Sequence, residues 1–327
     1  MLPPPLPTRI LDNIEDAAAR LKQGELVAFP TETVYGLGAN ALDPLAVARV
    51  FEAKQRPSFD PLIVHVADLQ CISEVARELP DPGQKLADKF WPGPMTLVLP
   101  RTHKIPDLVT SGLPGVGVRI PQHPIARKLL ATAAIPVAAP SANPFGGVSP
   151  TTVQHVADGL NGSIDAILDG GPCTIGLEST VISLMYDDPV VLRLGGLSIE
   201  EIEQVIGPVP IAQSNPERED AAQAAPGMLS RHYAPKTPIV LHEVHSQIEP
   251  SSAQDALLTW GAPAEDDEQF EILVRLSGTD DLAECAANFF AGLRSLDAHD
   301  PRVIIARRFP DHGLGRALND RLNRAAN

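Results

Sequence analysis

The sequence predicts an α/β protein in which a first α/β domain is followed by a second, smaller one. Its 327 residues exceed the length of one typical domain, and its composition, 44% hydrophobic and 20% charged, is that of an ordinary globular protein. Short apolar strands alternate with amphipathic helices except between residues 207 and 236, where apolar periodicity is absent. We therefore expect a first domain over 1–206, a linker over 207–236 and a second domain over 237–327.

Apolar spacing and capping residues place the elements of the first domain. Asp43 and Pro44 are typical of a helix start, with Asp as the N-cap, and the apolar contacts of this helix continue to Lys54. Ser198 opens a capping box for a helix that ends near Ile206. The remaining helices are expected near Asn13–Gln23, Pro82–Phe90, Pro124–Ala133 and Pro150–Leu160, and strands at Leu26–Phe29, Leu62–Val66, Met95–Leu99, Val116–Ile120, Val137–Ala139, Thr180–Leu184 and Val190–Leu194.

The second domain is expected to repeat strand and helix three times. The strands are Ile239–Leu241, Ile272–Arg275 and Val303–Ala306, and the helices begin at Ser251 or cover Leu282–Leu296 and Leu314–Ala325. This pattern predicts a small three-layer α/β domain of about 90 residues, which is a usual domain size.

Composition and charge argue against several functional classes. Acidic residues outnumber basic ones by 41 to 26, and the formal charge of −15 disfavours general adhesion to nucleic acid or anionic membranes. No apolar run approaches the roughly 18 residues of a membrane span, and the N-terminal residues lack signal-peptide features, so we expect a cytoplasmic protein. Three widely spaced cysteines and no zinc-ligand spacing argue against a disulfide framework and a protein-held transition metal.

Polar clusters interrupt the apolar strands of the first domain and suggest an anion site. The cluster at 30–38 follows a buried strand, where α/β sheets commonly open into crevices, although a turn with threonine–amide bonds is the alternative. Lys54 and Arg56 lie at a helix C-terminus, where the helix dipole favours cations, and together they suit phosphate neutralisation. His65, in the next strand, is either a core histidine or a ligand contact.

Two further clusters complete this set. Arg119 follows small apolar residues and would be costly to bury alone, so a carboxylate from a ligand or from a distant glutamate is expected beside it. A backbone-amide nest that binds phosphate oxygens could form from Ser141, Asn143 and the glycines that follow. Ser149 is also typical of a helix N-cap, which needs no ligand. Because no GxxxxGK[ST] loop or complete dinucleotide fingerprint is present, another device would hold any nucleotide.

These clusters resemble a known family. PTETVYGLG, KxRP, PLIVHV, FWPGPMTLVL, VGVRIP, APSAN…SPT and LESTVI occur in the order seen in the YrdC-type family, and APGM…RHYAP and GLGRALNDRLNRAA resemble the linker and end of the long, two-domain threonylcarbamoyl-AMP synthases. The resemblance covers nearly the whole chain. It implies a YrdC-like twisted open sheet with flanking helices and a small C-terminal Rossmann-like domain.

The resemblance also implies a reaction and its partners. L-threonine, bicarbonate and ATP would give threonylcarbamoyl-adenylate and pyrophosphate, for threonylcarbamoyladenosine modification of tRNA. Mg²⁺ would enter with ATP, held mainly by the triphosphate. A downstream tRNA threonylcarbamoyl transferase complex would receive the product, so direct tRNA binding by this chain is not required.

Site residues follow from the matched motifs. The L-threonine contacts would be Thr33, His65, Arg119 and Ser179, and the catalytic basic pair beside the phosphates would be Lys54 and Arg56. The ATP-binding residues would be Arg56, Asp60, Ser141, Asn143, Ser149, Arg193, His232 and Tyr233, the last two in a linker that folds over the site as a lid. Where the family commonly has Asn, Asp60 is expected either to coordinate Mg²⁺ or to face away from the phosphates.

Two alternative functions fit parts of the sequence. A double-stranded RNA or tRNA-binding module is supported by a local excess of 11 basic over 8 acidic residues between Arg49 and Phe145. A carbamoyl-transfer enzyme acting on another acceptor is the second, because a related domain occurs in hydrogenase-maturation proteins. The acylphosphatase and zinc-finger regions of those proteins have no counterpart here.

Overall fold

The structure, a computed structural model, describes residues 7–212, 226, 232–244 and 246–327. Its helices are α1 (Ile14–Lys22), α2 (Pro44–Lys54), α3 (Ile72–Val75), α4 (Asp81–Phe90), α5 (Asp107–Thr110), α6 (Pro124–Ala133), α7 (Val153–Leu160), α8 (Ile199–Ile206), α9 (Leu282–Asp297) and α10 (Leu314–Ala326). Its strands are β1 (Arg9–Leu11), β2 (Val27–Phe29), β3 (Gly36–Asn40), β4 (Ile63–His65), β5 (Met95–Pro100), β6 (Gly115–Arg119), β7 (Val137–Ala138), β8 (Ala166–Leu168), β9 (Thr180–Ser183), β10 (Val190–Arg193), β11 (Ile239–His242), β12 (Asp255–Thr259), β13 (Ile272–Arg275) and β14 (Val303–Arg307).

The first domain is built on a ten-stranded mixed sheet in the order β1-β8-β2-β3-β7-β4-β6-β5-β9-β10. Strands β4 and β6 run parallel, with His65 opposite Arg119 at their carboxyl ends. Strand β5 runs antiparallel to β6 and parallel to β9. The carboxyl ends of β4 and β6 therefore meet the amino end of β9 at one edge of the sheet.

The helix starts that the sequence predicts from capping residues and an N-terminal proline are confirmed. Asp43 accepts a hydrogen bond from the Leu45 N–H at the start of α2, and both bonds of the capping box at Ser198 are formed at α8. The expected α6 also begins at Pro124 and ends at Ala133. Local sequence is sufficient at these positions because each cap satisfies N–H groups that the helix itself leaves unpaired.

Two expected helices are corrected by the structure. Helix α7 begins at Val153 rather than Pro150, because Thr152 is its N-cap and the Pro150 carbonyl accepts a bond from the Tyr35 N–H. No helix starts at Ser251. The Asp255 carboxylate instead accepts the Ser251 N–H and pairs with Arg302, and β12 follows.

Strand β3 was not expected, because its sequence GLGAN resembles a turn. A Cβ at Gly38 would lie 2.9 Å from Phe29 Cε1 and 3.0 Å from the Val27 carbonyl oxygen, so glycine permits the close pairing of β3 with β2. The unexpected short strands β1 and β8 extend the sheet on the far side of β2.

The second domain is a four-stranded parallel sheet in the order β11-β14-β12-β13. Helices α9 and α10 pack on one face, and Ile248 and Phe270 belong to the apolar cluster on the other. Val34, Val148 and Leu177 of the first domain join the α9–α10 core, so the two domains share one apolar cluster. Within the described ranges, no helix is long and apolar enough to cross a bilayer.

Candidate functional site

The strand ends at the β4–β6–β9 edge surround one pocket with a free volume of about 50 Å³. Most of the expected site residues line it, drawn from seven separate stretches of the first domain and from the linker. They are Thr33, Arg56, His65, Arg119, Ser141, Ser179, Arg193, His232 and Tyr233. The sheet thus gathers residues that are about 200 positions apart in the chain into one cavity.

Arg119 is held at the pocket wall by a carboxylate of the protein. Its Nη2 lies 2.6 Å from Glu32 Oε1, its Nη1 donates to the Thr33 hydroxyl at 2.9 Å, and its Nε donates to the Gly93 carbonyl. Both members of the ion pair are buried, at 5% and 4% side-chain exposure. Of the two partners left open by the sequence, the distant glutamate is therefore present. A guanidinium has five N–H donors, so a ligand carboxylate can bind Arg119 beside Glu32.

His65 stands beside Arg119 as a neutral imidazole. Burial, followed by the nearby Arg119 guanidinium, lowers the pKa of His65 to about 3. Its Nδ1 atom is buried and has no hydrogen-bond partner among the described residues. Ser179, at the amino end of β9, shares a 2.7 Å hydrogen bond with Thr96 of β5. This side of the pocket therefore offers neutral hydrogen-bonding groups around one paired cation.

Of the basic pair Lys54 and Arg56, only Arg56 lines the pocket, and Lys54 binds a loop behind it. Arg56 lines the pocket, where it donates to the carbonyls of Asp60 and Pro61 and lies 2.9 Å from the Asp60 carboxylate. Lys54 lies behind the pocket, and its Nζ donates to the carbonyls of Ser141 (2.6 Å) and Asn143 (2.5 Å). Burial, followed by the charge of Arg56, lowers the pKa of Lys54 well below its usual value. Lys54 therefore fixes the loop that carries Ser141.

Asp60, Asn143 and Ser149 are near the pocket but are not among the residues that line it. The Asp60 carboxylate is fully buried against Arg56, and burial raises its pKa while the Arg56 charge opposes the rise. The Asn143 amide donates to the carbonyls of Pro144 and Gly147, and the Ser149 hydroxyl donates to Glu178 at 2.6 Å. These side chains support the walls of the pocket.

Linker residues close the pocket from the side of the second domain. The Pro226 carbonyl accepts a 2.9 Å bond from Arg193, whereas the His232 N–H donates to the Arg324 carbonyl of α10. The His232 ring contacts Phe145 edge-on, with ring centroids 5.8 Å apart. Burial, followed by the charges of Arg56 and Lys54, lowers the pKa of His232 well below its usual value. The rest of the expected lid, residues 213–225 and 227–231, lies outside the described residues.

Sequence reasoning missed Glu178 and Arg321 as site residues and did not select Thr31 or Glu32. Glu178 lines the pocket directly before Ser179, and Arg321 of α10 binds its carboxylate at 2.9 Å. Glu32 belonged to a cluster that the sequence had marked, but its pairing with Arg119 spans 87 residues. Only the contact itself distinguishes it from an ordinary turn residue.

The pocket suits a polar ligand. Asn143 Oδ1, His232 Nδ1 and the Tyr233 hydroxyl, like His65 Nδ1, are buried without hydrogen-bond partners in the described structure. Buried polar atoms are usually bonded, so their concentration here is typical of a binding site. Among the residues that the structure describes, no group of three or more His, Cys, Asp or Glu side chains could hold a metal ion.

The chain is similar to known proteins over nearly its full length. The Sua5_yciO_yrdC family model, described as telomere recombination, matches residues 19–195, and the model for the threonylcarbamoyl-AMP synthase C-terminal domain matches residues 197–327. The threonylcarbamoyl-AMP synthase of Pyrococcus abyssi is 44% identical over 96% of this chain and 94% of its own, and that of Bacillus subtilis is 41% identical over 96% and 92%. The crystal structure of P. abyssi Sua5 complexed with L-threonine matches with a TM-score of 0.88 at 44% identity, covering 96% of this chain and 94% of that one. The chain therefore belongs to the threonylcarbamoyl-AMP synthase family.

Proposed function

We propose that this chain condenses L-threonine, bicarbonate and ATP into threonylcarbamoyl-adenylate, releasing pyrophosphate and water. The observation that carries the proposal is the single pocket in which a paired guanidinium, a neutral imidazole and two hydroxyls face the cations Arg56 and Arg193. The first set suits an amino acid with a hydroxyl side chain, and the second suits a nucleoside triphosphate. Both reactants must lie together for the adenylate to form.

The threonine side of the pocket is proposed to be Thr33, His65, Arg119 and Ser179. Arg119 would bind the substrate carboxylate with the N–H groups that Glu32 and Thr33 leave available. A neutral His65 can exchange a hydrogen bond with the threonine hydroxyl without adding charge beside Arg119. This division of roles selects for an amino acid that has both a carboxylate and a side-chain hydroxyl.

The nucleotide side is proposed to be Arg56, Ser141 and Arg193, closed by His232 and Tyr233. Arg56 leaves its Nη1 without a partner among the described residues, so this atom is available to a phosphate oxygen. Asn143, Ser149 and Lys54 would act by fixing the loops that carry these groups. Asp60 is proposed to neutralise Arg56 from behind rather than to coordinate Mg²⁺.

The chemistry needs positioning and charge neutralisation more than an acid or base. Bicarbonate loses hydroxide to give carbon dioxide, and the deprotonated amino nitrogen of threonine bonds to its carbon; one proton from the threonine ammonium group joins the hydroxide to form water, and the other goes to solvent. An oxygen of the resulting carbamate then attacks the α-phosphorus as the bond between that phosphorus and pyrophosphate breaks. Holding the reactants in line, with cations around the phosphates, accounts for much of the acceleration in such reactions. Mg²⁺ is proposed to enter on the triphosphate, where it supplies further charge neutralisation.

The linker is proposed to act as a lid over the adenylate. A free volume of about 50 Å³ is far below the roughly 300–1,000 Å³ of ordinary ligand pockets. Pro226, His232 and Tyr233 must therefore move outward for ATP to enter, and their return would exclude water from a hydrolysable product. Replacing 207–236 by a flexible spacer of equal length should reduce adenylate yield, and full synthase rate in that variant would contradict the lid.

The product is proposed to leave for a tRNA threonylcarbamoyl transferase complex, so this chain need not bind tRNA. The function is tested by incubating the protein with ATP, Mg²⁺, bicarbonate and one amino acid, and identifying the adenylate by mass spectrometry. We expect the adenylate with L-threonine and little with L-valine, which has the same shape without the hydroxyl. Equal yields from both would contradict the assigned site, and salt-sensitive RNA binding without any adenylate would favour the RNA-binding module.

A further inference from the structure

We propose that Arg321, in helix α10 of the second domain, is a positioning residue for the nucleotide side of the pocket in the first domain. It acts through Glu178, Leu194 and Tyr233. The inference rests on the proposed function, and it assigns a role to the second domain: that domain supplies the guanidinium that fixes the pocket wall.

Arg321 is fully buried where the two domains meet. Its Nε lies 2.9 Å from Glu178 Oε2, and its Nη2 donates to the Leu194 carbonyl at 2.8 Å. Its Cζ lies 4.8 Å from the centre of the Tyr233 ring, and Nη1 pairs with the neighbouring Asp320. One planar group from the second domain therefore binds two segments of the first domain and one linker residue.

Each first-domain or linker residue that Arg321 contacts is a nucleotide-side residue or is bonded to, or adjacent in sequence to, one of the proposed nucleotide-site residues. The other oxygen of Glu178 accepts the hydroxyl of Ser149, so Arg321 and Ser149 fix that carboxylate from opposite sides. Leu194 directly follows Arg193, which lines the pocket, and Tyr233 lines it as well. On the threonine side, Arg119 is held by Glu32. Ser179 directly follows Glu178 and accepts a 3.3 Å bond from Arg193, but its hydroxyl also shares a 2.7 Å bond with Thr96, which Arg321 does not contact.

The energetics of burial favour a geometric role. A buried ion pair commonly adds no more stability than apolar side chains of the same volume, because both charges lose their hydration. What Arg321 provides is a rigid fork that can bond a carboxylate and a carbonyl while stacking on a ring, which a lysine cannot reproduce. The contacts are therefore better explained by the positions they impose on Glu178 and Tyr233 than by adhesion between domains.

The test compares Arg321→Met with Arg316→Met. Arg316 lies on the same helix and also pairs across the domains, with Glu200 at 3.2 Å, but its ion-pair partners do not line the pocket. For each variant the ATP dissociation constant is measured by calorimetry, and KM for ATP and for L-threonine by pyrophosphate release. Arg321→Met should weaken ATP binding and raise its KM by about two- to thirtyfold, the scale for residues that affect a site without touching its ligand, while KM for L-threonine changes much less. Arg316→Met should leave all three unchanged.

Two further variants separate positioning from folding. Arg321→Lys keeps the charge but loses the fork, so it should restore the melting temperature more than the ATP affinity. If Arg321→Met does not fold, Glu178→Gln tests the same link and should weaken ATP binding selectively. ATP affinity equal to wild type in a folded Arg321→Met, or equal losses for ATP and L-threonine, would overturn the inference. Because ATP binding is measured directly, absence of synthase activity in the wild type would count against the proposed function alone.

Discussion

Replacing Glu32 by Gln should destabilise the first domain far more than an ordinary surface change. The Glu32–Arg119 pair is 2.6 Å long and almost fully buried, and the second Glu32 oxygen accepts the Gln122 N–H at 3.0 Å. Removing one partner of such a pair costs about 3–5 kcal/mol, because the other charge is left buried. For a domain of this size, each kcal/mol lowers the melting temperature by about 2–4 °C, so we expect a fall of roughly 6–20 °C. In addition, the amide NH₂ would face either Arg119 or a backbone N–H, and donors cannot bond donors.

The assay is differential scanning calorimetry with Glu25→Gln as the matched control. Glu25 pairs with Arg20 at 2.7 Å, but its side chain is 30% exposed, and exposed pairs contribute about 0–1 kcal/mol. A shift for Glu32→Gln no larger than that of Glu25→Gln would refute the claim that this carboxylate holds Arg119 in place.

Three other predictions concern pH dependence, packing and the supporting loop. Because the folded-state pKa of His65 is lowered to about 3, the unfolded chain binds a proton below about pH 6.5 that the folded chain does not. This group should therefore lower the free energy of unfolding by about 1 kcal/mol per pH unit as the pH drops from 6.5 towards 3. Urea unfolding at a series of pH values should give a shallower dependence of that free energy on pH for His65→Gln than for the wild type. The same pH dependence in both would argue against a buried neutral imidazole. A Cβ at Gly195 would lie 2.2 Å from the Glu178 carbonyl oxygen, whereas nothing would lie within 4 Å of a Cβ at Gly278. Gly195→Ala should therefore lower the free energy of unfolding by about 1–3 kcal/mol and raise KM for ATP. The control Gly278→Ala should change neither quantity. Lys54→Met should raise KM for ATP by about tenfold through loss of the loop anchor, compared with exposed Lys104→Met, and an unchanged KM would show that the loop needs no anchor.

The sequence predicts what is encoded locally. Helices α2, α6 and α8 begin where their cap or N-terminal proline residues indicate, because a cap acts within a few residues of its own position. The clusters around Arg56, Arg119 and Ser141 were also recognisable, since polar groups at the ends of apolar strands are unusual unless something binds them.

What the sequence could not predict depends on contacts between distant segments. Nothing near Arg119 indicates Glu32 as its partner, and nothing near Lys54 shows that its ammonium group is directed at two backbone carbonyls. Strand β12 was missed for a similar reason, because Asp255 forms its turn by pairing with Arg302, 47 residues later. Arg321 is the extreme example, since its partner Glu178 lies 143 residues away in the other domain.

The most direct test of a shared pocket is an experimental structure of this chain with L-threonine and a non-hydrolysable ATP analogue. We expect the threonine carboxylate within hydrogen-bonding distance of Arg119 and the phosphates beside Arg56 and Ser141, with the reacting nitrogen and α-phosphorus close enough to be joined by one carbamate. Threonine and nucleotide bound in separate cavities, or Arg119 contacting neither, would contradict the account.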